Sequence, residues 1–380
     1  MDYWIAVVFW LSIGLTLYTY IGYPFVIWTV ARLLPKPVMK GSWFPTVSLI
    51  IAAYNEDRVI KDKLENTLSL SYPKEKLEII LIADGSVDNT VAIAETFCSK
   101  GIRVLYEPQR RGKTAAINRA MEASKGEILL FSDANTVYSE GVIEALVQNF
   151  HDPRIGGVSG RKIILQDAKR VASQGETAFW SYESSLKNWE SLAGSIVTAD
   201  GEIFSVRRSL FEPIPPNVVH DDMYLTLTII KKGYRVVYEN DATSGEHASK
   251  HLLDEFHLKV RYASAGYQIV SFFRAMLIPP RTLFAFEFLS HKLCRWLAPV
   301  FIVMVFASSA LLSAPFYRFA FWIQVLFLVL AAVGWRTIGS SKSGMLYFPV
   351  YFCMGNLAAA YGLVRYFSSG QSTLWRKAER

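Results

Sequence analysis

"EILLFSDANT", residues 127–136, places an apolar run, Ile128 to Phe131, directly before Asp133 and Asn135. The run suits a buried strand, and a strand interior does not tolerate an unpaired carboxylate and amide. Asp and Asn are ordinary turn formers, so alone the stretch reads as a strand running into a turn. The same ending recurs upstream. "TVSLIIAA" (46–53) runs into Tyr54-Asn55-Glu56, and "LEIILIAD" (77–84) closes on Asp84-Gly85-Ser86. Segments of helical spacing separate these runs, with Asp88 or Asn89 placed to cap one of them, and "IRVLYE" (102–107) adds a further strand. Near-continuous apolar strands alternating with helices predict an α/β domain whose parallel sheet is covered on both faces. In such sheets ligands bind at the carboxyl ends of the strands. Three polar endings on neighbouring strands therefore point to a site.

The residue types narrow the ligand. Gly85 allows a tight turn after Asp84, whose carboxylate suits a base or a ribose. Arg110, Arg111 and Lys113 of "RRGK" precede a helical segment, where backbone N–H groups and the dipole favour phosphate. Asp133 and Asn135 offer hard oxygen ligands two residues apart, suited to Mg2+ or Mn2+ on a diphosphate. The chain has neither G-x-G-x-x-G nor a full G-x-x-x-x-G-K-[ST] phosphate loop, since Glu107 stands where the first glycine before Gly112-Lys113-Thr114 would be. A nucleoside diphosphate carrying another group fits best.

Composition adds a membrane. The 380 residues are 52% hydrophobic with a formal charge of +7, too apolar for an ordinary soluble chain and too charged for a wholly membrane one. Tyr3 to Ala31 carries no formal charge, and about 20 apolar residues cross a bilayer. Its length and the lack of a basic leader favour a permanent anchor over a cleaved signal. Arg32, Lys36 and Lys40 follow it, which places the central domain in the cytoplasm. Further apolar runs cover roughly Leu293–Leu312, Phe319–Trp335 and Met345–Phe367. The stretch before them interleaves basic and large apolar residues, as helices in a membrane interface do. The expected organisation is an anchor (1–34), a cytoplasmic domain (44–270), interface helices (271–292), C-terminal spans (293–367) and a basic tail (368–380). Four spans return that tail to the outside while its charges favour the inside, so the topology of the last helix stays open. Cys98, Cys294 and Cys353 have neither disulfide-framework nor zinc spacing. The positive charge suits membrane lipid and an anionic substrate; nucleic acid is not an expected partner.

Six motifs in order, "VSLIIAAYNED", "ADGSVDNT", "GKTAAIN", "FSDANT", "TADGEIFSVRRSLF" and "HDDMYLTLTIIKKGYRVVYE", resemble the family 2 glycosyltransferases, in the membrane-anchored branch that builds bacterial exopolysaccharides and cell-envelope glycans. The likeness covers about residues 44–275. It implies the GT-A fold, a Rossmann-like domain that binds a nucleotide-diphosphate sugar, usually a UDP-sugar, and an inverting transfer to a lipid-linked or glycan acceptor at the inner membrane. By the same likeness Ala53, Asn55 and Glu56 border the nucleotide, Asp84 meets the base, and Lys113 and Arg261 meet the donor. Asp133 and Asn135 fill the metal motif, Gly201 and Glu202 face the acceptor, and Asp222 is the base with Asp221 beside it. Other polysaccharide-assembly proteins are the partners such a chain would meet.

Two departures stand out. Asn135 replaces the usual Asp of the metal motif, which implies weaker metal binding or other ligands. "EFHLKVRYASAGYQ" (255–268) has Leu258 and Tyr262 where processive synthases carry the Gln and Trp of Q-x-x-R-W. A processive, exporting synthase and a non-catalytic scaffold remain the rival readings. Asp221 and Asp222 alone would suit a helix cap. His247 is a candidate third metal ligand or a solvated loop residue. Arg207 and Arg208 are expected to pair with carboxylates or lipid phosphate, and Trp180 and Trp189 to stack on sugar or pack on the membrane-side helices.

Overall fold

The strand–helix alternation of residues 46–133 is realised as one half of an eight-stranded sheet in the computed structural model, which describes residues 2–165, 171–248, 252–337 and 346–368. In chain order the strands are β1 (Val47–Ala53), β2 (Leu77–Asp84), β3 (Ile102–Glu107), β4 (Ile128–Asp133), β5 (Thr136–Tyr138), β6 (Ile155–Leu165), β7 (Phe204–Arg207) and β8 (Arg235–His247). They lie in the order β3-β2-β1-β4-β7-β6-β8-β5. The first four are parallel, as expected. The second half is mixed: β7 runs antiparallel to β4 and β6, β6 and β8 are parallel, and β5 closes antiparallel on β8. This half escapes the sequence pattern because its longest strands are bulged, with register shifts at Ile155/Gly157 and Gly160/Arg161.

Both faces of the parallel half are covered. Ile50, Ile80 and Leu129 join one apolar cluster, while Leu49, Leu81 and Leu130 join the other. That alternation is the period-two consequence of strand geometry. Each fully buried aliphatic contributes about 1.5–3 kcal/mol relative to exposure.

The helices are α1 (Asp2–Leu17), α2 (Tyr23–Leu33), α3 (Ile60–Leu68), α4 (Thr90–Glu95), α5 (Lys113–Ala123), α6 (Val142–Val147), α7 (Val171–Ala193), α8 (Asp221–Lys231), α9 (Leu252–Phe272), α10 (Arg274–Leu277), α11 (Leu283–Phe288), α12 (Cys294–Leu311), α13 (Pro315–Thr337) and α14 (Tyr347–Ser368). Before α4, Asp88 accepts from the N–H and hydroxyl of Thr90, so the expected capping residue serves the helix start.

Among the described residues four helices are long and apolar enough to cross a membrane: Asp2–Leu33, Leu283–Leu311, Pro315–Thr337 and Tyr347–Ser368. Residues 369–380 of the expected basic tail lie outside the described residues. The boundary expected between interface helices and spans at 292/293 has no counterpart. The second candidate span begins at Leu283 and runs through a π turn at Leu289–Leu293. His291 and Lys292, expected at a lipid interface, are instead buried against α7. The physical reason is charge pairing. Glu183 of α7 takes Lys292 Nζ at 2.9 Å, His291 Nε2 at 3.3 Å and the Arg295 guanidinium, while Glu190 takes His291 Nδ1 at 2.6 Å and the Tyr23 hydroxyl at 2.7 Å. A hydropathy pattern cannot display partners that lie a hundred residues away.

Apolar packing joins the domain to these helices. The cluster on one sheet face continues from Phe131 and Phe204 through Met223 and Tyr267 to Phe288, Trp296 and Ala359. Gly266 permits one such close approach: a Cβ there would lie 2.3 Å from the Trp296 ring.

Glu183 pairs two cations, Lys292 and the Arg295 guanidinium, in a buried setting. Glu183→Ala is expected to cost about 3–5 kcal/mol by leaving them unpaired, read as a large fall in the thermal unfolding midpoint of detergent-purified protein. An unchanged midpoint contradicts this account.

Candidate active site

The polar strand endings converge because the parallel register is tight. Ala52 is level with Asp133, and Ala53 with Ala83, so β1, β2 and β4 finish along one edge. At the end of β1 Asn55 adopts φ 53°, a left-handed conformation that Asn tolerates better than most residues. The β1 and β2 endings are stitched together. Asn55 N–H donates to Ser86 Oγ at 3.1 Å, Val87 N–H to Asn55 Oδ1 at 3.0 Å, and Glu56 N–H to Thr90 Oγ1 at 2.7 Å. Ala53, Asn55, Glu56 and Asp84 thus share one edge.

Asp84 is buried and committed to its own chain. Oδ2 accepts from the N–H groups of Arg111 (3.0 Å) and Gly112 (2.6 Å), and Oδ1 accepts from Arg119 Nη2 (2.9 Å). Its structural work is to hold the loop that opens α5. Gly85 has φ +69°, and a Cβ there would come within 2.8 Å of the Arg110 backbone, so this turn requires glycine. Arg110 stacks over Tyr54, 3.7 Å from the ring centroid.

Lys113, the first residue of α5, reaches Asp133 Oδ1 at 2.6 Å and lies 3.9 Å from Asp221 Oδ2. Burial works against its charge, but Asp133 and Asp221 outweigh it and hold the ammonium above the usual lysine range. Asp221 and Asp222 open α8. Asp222 accepts from Gly201 N–H at 3.0 Å and from Met223 N–H at 2.6 Å, and is bonded to the His220 ring. Burial opposes its ionisation, but His220 with Lys113 and the Met223 N–H prevails and holds Asp222 below the usual carboxylate range. Asp221 moves the other way. Burial, reinforced by Asp222 and Asp133, pushes its carboxyl up against the pull of Lys113. Adjacent carboxylates with values driven apart form one ionised acid and one that holds its proton more tightly.

Glu202 is buried beside them. Oε2 takes Lys162 Nζ at 2.9 Å, and Oε1 is buried with no hydrogen-bond partner among the described residues. Burial, with Asp200 and Asp133, raises its carboxyl. Lys113, Asp133, Gly201, Glu202, Asp221, Asp222 and Arg261 all line one cavity of about 680 Å3. The cavity also reaches Leu258 and Tyr262 of α9, Trp180 of α7, and Tyr20, Trp296, Tyr351 and Asn356 on the apolar helices. Tyr262 lies against His220, with ring centroids 5.5 Å apart.

Several expectations resolve differently from one another. Asn135 is next to this group but donates Nδ2 to Glu246 Oε1 at 2.8 Å. His247 is exposed at the end of β8, one step past the Thr136↔Glu246 pair that the β5–β8 register sets. Among the described residues no group of three or more His, Cys, Asp or Glu is arranged to hold a metal. Trp180 lines the cavity, whereas Trp189 packs with Tyr23 and Ile27 of the first apolar helix. The Arg207 guanidinium bonds the carbonyls of Ile155 (2.8 Å) and Asp152 (3.2 Å), and Arg208 bonds Ser124, so among the described residues their hydrogen bonds go to backbone and a hydroxyl in place of the expected carboxylates.

Three residues escaped the sequence reading. Lys162 and Glu246 are buried on β6 and β8, and Lys63 is buried beneath the site, donating to Thr136 Oγ1 at 3.2 Å and lying 4.0 Å from the Tyr138 ring centroid. Burial pulls Lys63 down to about 7. For Lys162 a signal existed: it alternates with Arg161 and Ile163 along an apolar strand, which turns its side chain inward.

Asp221 supplies a pH test. Its folded value lies above that of the unfolded chain, so the folded state binds the extra proton and stability falls as pH rises through the carboxylate range. Asp221→Asn removes that loss, so the rise in unfolding midpoint is expected to be larger at pH 7 than at pH 4. Equal shifts in a pH series of thermal melts contradict it.

Residues 48–214 match the family described as glycosyl transferase family 2. The chain is 27% identical over 248 residues to the poly-beta-1,6-N-acetyl-D-glucosamine synthase of Staphylococcus aureus, covering 63% of this chain and 60% of that protein. It is 26% identical over 387 residues to the probable glycosyltransferase YdaM of Bacillus subtilis, covering 93% and 91%. The chain thus spans about 60% of the length of the first of these curated relatives. In fold it is similar to the mannosyltransferase PcManGT from Pyrobaculum calidifontis, solved with GDP-Man and Mn2+, at a TM-score of 0.72 and 21% identity, over 95% of this chain and 99% of that one. The ordered motifs, the strand-edge site and the comparisons agree: the chain has the GT-A fold, and its residues 48–214 match glycosyl transferase family 2.

Proposed function

We propose that this chain is a glycosyltransferase that moves a sugar, with inversion, from a nucleotide-diphosphate sugar to a membrane-tethered acceptor during polysaccharide assembly, its domain facing the cytoplasm. The single observation that carries this reading is the cavity. One continuous space of about 680 Å3 has Lys113, Asp133 and Asp222 on its wall and also touches all but one of the candidate spans, at Tyr20, Arg295 and Tyr351. A donor held at the strand edge and an acceptor rising from the membrane would meet there.

Ala53, Asn55, Glu56 and Asp84 border the nucleotide in this reading, with Asp84 acting through the loop it holds. Lys113 and Arg261 meet the diphosphate. Asp133 pairs an ammonium at 2.6 Å, so its carboxylate is already placed to serve a cation, and Asn135 lies two residues on. These residues fit a divalent ion, Mg2+ or Mn2+, which when bound would neutralise the leaving diphosphate. The likeness to PcManGT makes GDP-sugars a donor class to test beside UDP-sugars, with Mn2+ as the first ion.

Asp222 serves as the base. It is the ionised member of its pair, and Gly201 N–H and His220 fix its orientation. It takes the acceptor hydroxyl's proton as that oxygen attacks the anomeric carbon opposite the diphosphate. Glu202, with its buried unpartnered oxygen, is suited to accept a hydrogen bond from an acceptor hydroxyl. Trp180 offers an aromatic face in the same cavity. The lysines deeper along the wall are neutralised locally, Lys187 by Asp200 and Lys259 by Glu255. That pattern favours the neutral, hydroxyl-rich glycan part of the acceptor over a bare anion.

Asp222→Asn is expected to lower kcat by about 10²–10⁴-fold while leaving nucleotide binding near wild type. Asp133→Ala is expected to abolish Mn2+-dependent binding of UDP or GDP, and chelation should do the same to the wild type. Transfer assays with UDP- and GDP-sugars and membrane extracts as acceptor source, followed by linkage analysis, decide the reading. A product that keeps the donor's anomeric configuration overturns the inverting chemistry. Many sugars added per acceptor would shift the reading to a polymerising synthase. Absence of nucleotide binding would shift it to a scaffold.

A further inference from the structure

Asn135 breaks the pattern of two acids at the end of β4, and the sheet supplies the reason. Antiparallel pairing of β5 with β8 sets Thr136 opposite Glu246, which brings Asn135 within reach of that carboxylate. Asn135 Nδ2 donates to Glu246 Oε1 at 2.8 Å. The other oxygen of Glu246 takes Lys162 Nζ, and the same ammonium bonds Glu202 Oε2 at 2.9 Å. Glu246, Lys162 and Glu202 are all buried. One ammonium is therefore already shared by two carboxylates in a poorly solvated setting. An aspartate at 135 would add a third carboxylate, pointed at Glu246 across a hydrogen-bond distance, with no proton between them. The amide is what this location requires. Because its nitrogen is given to Glu246, its carbonyl oxygen is the atom left to accept.

We propose that Asn135 and Glu246 are a matched positioning pair: Glu246 carries the negative charge that position 135 does not, and orients the Asn135 amide so that its oxygen serves the donor's divalent cation. This rests on the donor reading above, in which Asp133 and Asn135 hold that cation. Through Lys162 the pair also reaches Glu202, so the donor and acceptor ends of the cavity share one buried hydrogen-bonded chain. Glu246 acts through Asn135 and is a positioning residue.

The test is a double-variant cycle on the full chain in detergent, using Asn135→Asp, Glu246→Gln and the combination, in which acid and amide exchange places. Two readouts are taken: Mn2+-dependent binding of UDP and GDP by calorimetry, and the thermal unfolding midpoint. Each single change is expected to weaken Mn2+–nucleotide binding about tenfold or more, and the exchanged pair to recover to within about threefold of wild type, the non-additivity expected of groups in contact. Losses that simply add, or a fully competent Asn135→Asp, overturn the pairing. Recovery of the midpoint with nucleotide binding unchanged throughout overturns the positioning role and leaves a structural contact. If Glu246→Gln alone does not fold, Asn135→Asp against the exchanged pair decides the matter. Failure of the wild type to bind either nucleotide overturns the donor reading and the positioning role with it, while the unfolding cycle still decides the pair.

Discussion

The register of the parallel strands is the constraint on which the rest depends. With Ala52 level with Asp133 and Ala53 with Ala83, three strands finish together, and residues some thirty and fifty positions apart meet along one edge. A slip of one residue would exchange the faces of every side chain on a strand, and the two apolar clusters make that slip prohibitive. Leu49, Leu81 and Leu130 belong to one cluster and Ile50, Ile80 and Leu129 to the other. The core thus determines where the carboxylates stand.

From that edge the structure manages buried charge in two ways. In the site, neighbouring acids are held in opposite states: His220 keeps Asp222 ionised, while burial pushes Asp221 toward its protonated form. Away from the site, charges are cancelled. Glu183 gathers Lys292 from the π turn and Arg295 from α12, and Lys187 is matched by Asp200. Such pairs add little net stability over apolar packing, yet removing one member is costly.

The cavity is the product of both arrangements. Its upper wall belongs to the sheet edge and α8, and its lower wall to α7, α9, α12 and α14. Close packing at Gly266 against Trp296 brings Arg261 and Tyr262 into the same space. The departure of Leu258 and Tyr262 from the processive pattern therefore lies directly on the cavity wall.

Local pattern by itself determined the parallel half-sheet, the polar strand endings at Asn55, Asp84 and Asp133, the glycine turn at Gly85, and the apolar helices. Each is a matter of period, turn chemistry or hydropathy within a few residues. Only the tertiary structure decided that Asp84 spends its carboxylate on the loop before α5, and that Glu183 neutralises α12. It alone decided that Asn135 answers to Glu246, and that Lys63 lies buried beneath the site. Those facts are pairings between residues tens to more than a hundred positions apart. A buried polar side chain is legible only once its partner is known, because the low-dielectric interior makes the partner, and not the residue type, the determinant of its charge and role.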